Sequence, residues 1–155
     1  MAGADGEPTA IKNEIRLGIL EGYIGFHLRQ AQNTSFKAFQ RQTGEPGLRP
    51  GWFAVLSLID SNPGITPVLL SRASGRDKST LTPVLRDLTH RNLIEKLPVP
   101  NDRRSYALAL TPAGRGKLRE LAVHARIHDR KLDQIAGSRK AELLSLLRRI
   151  SSLLD

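Results

Sequence analysis

Two Thr-Pro pairs, Thr66-Pro67 and Thr111-Pro112, constrain this chain more than any other feature. A threonine side chain accepts a hydrogen bond from the free amides at a helix start, and a proline in the first helical position has no amide to leave unpaired. Each pair therefore predicts the beginning of a helix, and whatever lies between them must fit into residues 66–111. The first of these helices runs through about Ala73 and stops at Gly75. Asp77, with Thr80 behind it, caps a second that reaches about Arg91 and carries Leu81, Val84, Leu85 and Leu88 along one side. Asn92 stands where a left-handed residue closes that helix, a conformation asparagine tolerates better than most side chains.

After Asn92 the period changes from helical to alternating. Leu93, Ile94, Leu97 and Val99 read as a first strand, and Asn101 to Arg104 as a polar turn that makes the hairpin tip unusually long. Tyr106, Leu108 and Leu110, interleaved with Ala107 and Ala109, read as a second strand. Upstream, Trp52, Phe53, Val55, Leu56, Leu58 and Ile59 form a short, largely buried helix. It lies between the Gly- and Pro-rich loop 43–50 and the stop Ser61-Asn62-Pro63-Gly64. Three helices followed by a hairpin is the order of a winged helix-turn-helix, here spanning residues 50–111.

Helical patterns flank that segment. Ile15, Leu17, Ile19, Leu20, Tyr23, Ile24, Phe26, Leu28, Phe36 and Phe39 predict one long helix from Ile11 to about Gln42, with an irregularity around Gly22 and Gly25. Thr111-Pro112 launches a helix to about Ile135, broken by Gly137. A last helix then carries Leu143, Leu144, Leu146, Leu147, Ile150, Leu153 and Leu154 in a stripe. The expected fold is mainly α: a three-helix core plus a two-stranded wing, with N- and C-terminal dimerisation helices. The terminal stripes lie outside a compact winged domain and need burial, so residues 11–45 and 112–155 are expected to join two copies. The pattern alone leaves packing within one subunit open.

The chain has 155 residues, 24 basic against 15 acidic, for a formal charge of +9, which makes a polyanion the first partner to consider. The length favours one domain, or one plus an oligomerisation element. Residues 72–104 hold Arg72, Arg76, Lys78, Arg86, Arg91, Lys96, Arg103 and Arg104 against Asp77, Asp87, Glu95 and Asp102. The basic excess after Arg115 is spread along long helical patterns, where it could meet an anionic ligand, bias approach to DNA or only face solvent. Cysteine is absent, which excludes disulfides, thiolate nucleophiles and cysteine-ligated metals together. The polar stretch Met1–Thr9 gives no sign of a signal peptide, and no apolar run approaches the ~20 residues that cross a bilayer. A soluble cytoplasmic protein with no membrane partner is expected. No glycine-rich phosphate loop or nucleophile elbow points to an enzyme. His124 and His128 stand four apart beside Asp129, but no third ligand is placed, so neither a metal nor a cofactor is expected.

On the second helix between the Thr-Pro pairs, burial of the four aliphatics leaves Lys78, Ser79, Thr82, Pro83, Arg86 and Thr89 outward or at the margin. Such a face suits a major groove. Arg86 can donate twice to guanine, Ser79 and Thr82 can meet bases or phosphates, and Pro83 can touch a thymine methyl. At the hairpin tip, Asp102 can hold one of Arg103 and Arg104 while the other enters a narrow minor groove. Arg72 and Arg76 flank the interhelix turn and fit phosphates. Viewed singly, the helix is equally a solvated amphipathic helix and the tip a solvated turn. A winged protein-interaction adaptor is the competing reading of the whole.

Three motifs decide between these. Asp77-Lys78-Ser79-Thr80-Leu81-Thr82, Asn101-Asp102-Arg103-Arg104 and Leu110-Thr111-Pro112-Ala113-Gly114 together resemble the MarR family of bacterial transcription regulators, over roughly Ile15 to Leu153. The resemblance implies an obligate homodimer with interlocked terminal helices on a pseudopalindromic double-stranded DNA operator, usually repressing by promoter occlusion. It makes Arg72, Arg76, Lys78, Ser79, Thr80, Thr82, Pro83, Arg86, Arg103 and Arg104 DNA-binding candidates, with Asp102 supporting the wing. Asn92 departs from the family's usual glycine but keeps its backbone logic. Thr82-Pro83 resembles the peroxide-sensing branch, whose cysteine chemistry this chain lacks. The resemblance also implies a small-molecule pocket between dimerisation helices and winged domain, for a small aromatic carboxylate or phenolic, or alternatively an aromatic acyl-CoA thioester. Phe26, His27, Phe39, Trp52 and Phe53 are the nearest candidates, with Arg16 or Arg49 to pair a carboxylate. For the aromatics, simple core packing competes with this role.

Overall fold

The computed structural model describes residues 15–154, in two units divided between Thr34 and Ser35. In the first unit the apolar repeat does not give one continuous helix. Gly18–Gly22 form a 3-10 turn, Tyr23 is extended at φ −96° and ψ 116°, and α1 (Ile24–Thr43) begins only after it. Each glycine in a helix interior costs about 1 kcal/mol relative to alanine. With Gly18, Gly22 and Gly25 close together, the expected long helix breaks. Its proposed start at Ile11 lies outside the described residues. Ile15, Ile19, Tyr23 and Ile24 are all exposed.

In the second unit the expected caps form. Thr66 accepts from the Leu69 amide ahead of α3 (Pro67–Ser74), which ends on left-handed Gly75. Asp77 accepts from the Thr80 amide at the start of α4 (Lys78–His90), and Asn92 closes its far end at φ +56°. Thr111 is buried at the start of α5 (Pro112–Ala136), where its hydroxyl donates to the Asn92 carbonyl at 2.6 Å and accepts from the Gly114 amide at 2.9 Å. One side chain thus ties the end of α4 to the start of α5. Glycine is required two residues into that helix, because a Cβ on Gly114 would collide with the Leu93 carbonyl oxygen.

The core is built around α2 (Trp52–Ser61), whose Trp52, Val55, Leu56 and Ile59 are buried. Leu70 of α3, Leu81, Val84, Leu85 and Leu88 of α4, and Leu121 of α5 pack with it. Full burial of each such side chain is worth about 1.5–3 kcal/mol, so this cluster fixes the direction of α4. Pro83 does not break that helix, which is continuous through it.

The hairpin departs from expectation at its tip. β1 (Ile94–Val99) and β2 (Asp102–Leu110) are antiparallel and pair in step from Ile94 with Leu110 to Pro98 with Tyr106; Val99 then pairs with Asp102. The polar turn expected at residues 101–104 is therefore a tight turn at Pro100 and Asn101, with Asn101 at φ +64°. Arg103, Arg104 and Ser105 are the extra residues of a bulge in β2. Ile65, just before α3, bridges to Leu108 and anchors the hairpin to the helices. After α5, the chain turns through Gly137–Arg139 into α6 (Lys140–Leu153). Here Leu143, Leu144, Leu146, Leu147 and Leu153 remain exposed, as do Ile127, Leu132 and Ile135 of α5. No described helix is long and apolar enough to cross a membrane.

Candidate nucleic-acid interface

With its aliphatic side in the core, α4 leaves Lys78, Ser79, Thr80, Thr82 and Arg86 exposed and Pro83 at the margin. Lys78 and Arg86 have no ion-pair partner among the described residues, so both keep their full charge for an incoming polyanion. The hydroxyls are already oriented. Ser79 donates to the Asp77 carboxylate at 2.8 Å, Thr80 donates to the same oxygen at 2.6 Å, and Thr82 donates to the Lys78 carbonyl at 2.7 Å. With their protons committed, these hydroxyls are left as acceptors, which suits the exocyclic amines of adenine or cytosine better than phosphate oxygens. The hydroxyl of Thr80 and then that of Ser79 hold the Asp77 carboxyl below its ordinary range, so it stays anionic at the helix N-terminus.

The bulge presents the wing arginines. Asp102 accepts from the Arg104 amide at 2.9 Å and the Ser105 amide at 3.3 Å, and its carboxyl is likewise held low, first by the Ser105 side chain and then by the Arg104 amide. Asp102 is expected to hold one neighbouring arginine, and it takes Arg104 by the backbone amide and not by the guanidinium. The reason is local, since a short aspartate reaches amides two and three residues on more readily than a long, flexible guanidinium. Arg103 and Arg104 are both exposed and free of ion pairs among the described residues.

Between α4 and the hairpin lies a groove of about 260 Å³ lined by Thr82, Leu85, Arg86, Thr89, His90, Lys96 and Tyr106. Lys96 Nζ sits 4.6 Å from the centre of the Tyr106 ring. The sequence reading missed Lys96 and Tyr106. The strand register would have found them, because it pairs Pro98 with Tyr106 and so brings Lys96 diagonally near the ring.

Arg72 is exposed, whereas Arg76 is half-buried with its guanidinium packed against Gly51, so closely that a Cβ there would overlap it. Of the pocket candidates, Arg16, Phe26 and His27 belong to the first unit. His27 Nε2, as the N–H tautomer, donates to the Glu21 carbonyl at 2.8 Å, and its ring meets Phe26 edge-on. In the second unit the Phe39 and Phe53 ring centres are 6.5 Å apart, and Phe39 lies 5.8 Å from His128. Trp52 is buried beneath Arg91, and Arg49 faces Asp87 at 3.3 Å. Of the spaced histidines, His128 places Nε2 2.8 Å from the Ser35 hydroxyl, while at His124 the backbone carbonyl accepts from the Gln42 side chain. No cluster of three His, Cys, Asp or Glu that could hold a metal occurs among the described residues.

The family model for MarR matches residues 48–106, the segment containing α2 to the wing. The chain is 32% identical over 139 residues to the transcriptional regulatory protein proposed for the hcr operon of Thauera aromatica, covering 88% of this chain and 84% of that protein. Among solved structures, the repressor CouR bound to a 23-mer DNA duplex matches with a TM-score of 0.76 at 31% identity, over 89% of this chain and 99% of that one. CouR bound to p-coumaroyl-CoA matches with a TM-score of 0.77 at 28% identity, over 89% and 98%. Fold, motifs and similarity over 88% of the chain agree: the chain belongs to the MarR family of winged helix-turn-helix transcription regulators.

Proposed function

We propose that the protein is a homodimeric repressor that binds a pseudopalindromic DNA operator and is released by an aromatic acyl-CoA thioester, controlling genes of aromatic breakdown in the cytoplasm. The observation that carries this reading is the near full-length likeness to CouR, a repressor solved both with a DNA duplex and with p-coumaroyl-CoA. That likeness favours the thioester over the free aromatic carboxylate or phenolic as effector. In this reading Lys78, Ser79, Thr80, Thr82, Pro83 and Arg86 meet the major groove, Arg103 and Arg104 the minor groove, and Arg72 and Arg76 phosphates. Residues 50–111 act as the DNA-binding domain. Residues 11–45 and 112–155 act as the dimerisation region, and the exposed leucines of α6 support that assignment. Of the effector candidates, Phe39 and Phe53, partly buried in the second unit with ring centres 6.5 Å apart, are the proposed contacts.

The test begins with a duplex enriched by the protein from a randomised library, titrated by fluorescence anisotropy. p-Coumaroyl-CoA or benzoyl-CoA should release it, while CoA alone and the free acids at equal concentration should not. Release by a free acid but not its thioester overturns the thioester reading, and failure to enrich any sequence overturns the repressor reading.

A further inference from the structure

Asp87 follows Arg86 on α4, about 100° further round the helix. Its side chain is only 22% exposed and is flanked by two guanidiniums from different parts of the chain. Arg91, one turn on, places Nε 3.3 Å from Oδ1; Arg49, in the loop before α2, places Nε 3.3 Å from Oδ2. Arg91 is also held from its other side, 4.9 Å from the centre of the Trp52 ring, which is itself buried in the core. The carboxylate thus pairs with two half-exposed cations beside the face that carries Arg86, Arg91 through a hydrogen bond and Arg49 through charge alone, and it joins α4 to a loop distant in sequence.

Those two cations matter because phosphate contacts raise affinity for every sequence alike and carry no base information. We propose that Asp87 is a specificity-setting positioning residue, whose carboxylate keeps Arg49 and Arg91 off the DNA backbone so that the adjacent helix face governs binding. This rests on α4 being the element presented to DNA. Without the carboxylate, both guanidiniums are free to reach phosphates on any duplex, and α4 loses its tie to the loop before α2.

The test compares wild type, Asp87→Asn, Asp87→Glu and Arg49→Gln on the library-enriched duplex and on a random duplex of equal length, from 50 to 200 mM salt. For Asp87→Asn, random-duplex affinity should rise, the log–log salt slope should steepen by about 1 to 2 per protomer, and preference for the enriched duplex should fall about tenfold. Asp87→Glu should return all three to their wild-type values. Loss of folding stability would weaken binding to both duplexes and could not steepen the slope. Arg49→Gln, which keeps Asp87, should leave the slope at its wild-type value. Wild-type behaviour of Asp87→Asn on random DNA, or a slope lowered by about 1 in Arg49→Gln, overturns the proposal. Absence of any preference in the wild type would instead overturn the DNA-regulator reading beneath it.

Discussion

Replacing Arg103 and Arg104 together by alanine removes two charges from each wing without dismantling it. The bulge is held by Asp102 through the backbone amides of Arg104 and Ser105, which alanine keeps. Neither guanidinium is neutralised by a carboxylate among the described residues, so each brings a full charge to DNA. Every cation that displaces condensed counterions contributes about 0.9 to the slope of log affinity against log salt, so four arginines in a dimer contribute about 3.6. Between 50 and 200 mM salt, that slope amounts to a roughly 150-fold difference in how far affinity falls. If only one arginine per wing touches DNA, the slope changes by about 1.8. Anisotropy titrations at three salt concentrations measure it directly. Arg130→Ala with Lys131→Ala, on α5, removes equal charge away from the wing and should leave the slope nearly unchanged. Equal slopes for the wing variant and wild type would remove the wing from the interface, and equal losses in the two double variants would reduce its effect to net charge.

Gly114→Ala should destabilise the fold by about 3 kcal/mol in urea unfolding, the upper end of the overpacking range, because its Cβ meets the Leu93 carbonyl, a backbone atom that cannot swing away. Gly116→Ala, two residues on, has only an ordinary contact to Arg119 and should stabilise by about 0.5–1 kcal/mol, so the same sign for both would refute the packing argument. The Asp77 carboxyl sits below its ordinary value of 3.8, so its contribution is complete above that pH and is lost as pH falls through the lower folded value. Melting temperatures of wild type and Asp77→Asn should accordingly differ near neutrality and converge in acid; a gap that persists unchanged in acid would exclude the ionised cap as its source. Leu146→Glu with Leu147→Glu, on the exposed stripe of α6, should shift the protein to a monomer in light scattering while circular dichroism is retained; an unchanged dimer would place the interface elsewhere.

The elements whose physics closes within a few residues were legible in the sequence. Thr66, Asp77 and Thr111 each cap an amide three residues ahead, and Gly75 and Asn92 each end a helix by their own backbone preference. The hairpin tip was not legible, because a register skip depends on which residues pair across the sheet and on the bridge from Ile65 to Leu108. The break before α1 was only half visible. Periodicity marks the apolar residues but gives no weight to three nearby glycines. The Arg49–Asp87 pair spans distant segments and follows no period at all, so Arg49 appeared only as a free cation available to an effector.

The same contrast separates the net charge from the charge available to DNA. Among the described residues five cations, Arg49, Arg91, Lys117, Arg139 and Lys140, are engaged with carboxylates; Arg49–Asp87, Lys117–Glu45 and Lys140–Asp133 join separate segments, and the other two pairs lie within one helical turn. At the proposed interface the acids behave differently. Asp77 and Asp102 sit beside the groove-facing helix and the wing arginines, yet one oxygen of each, Oδ1, is taken up by the hydroxyls of Ser79 and Thr80 or by the amides of Arg104 and Ser105. Each carboxylate shapes the backbone that presents Lys78, Arg103 or Arg104 without pairing with it. The formal surplus of +9 therefore understates how free the positive charge is at these two points and overstates it elsewhere. A calculation from composition alone would assign DNA affinity evenly to every arginine; in the proposed interface the hydrogen bonds of two aspartates leave it to one helix start and one bulge.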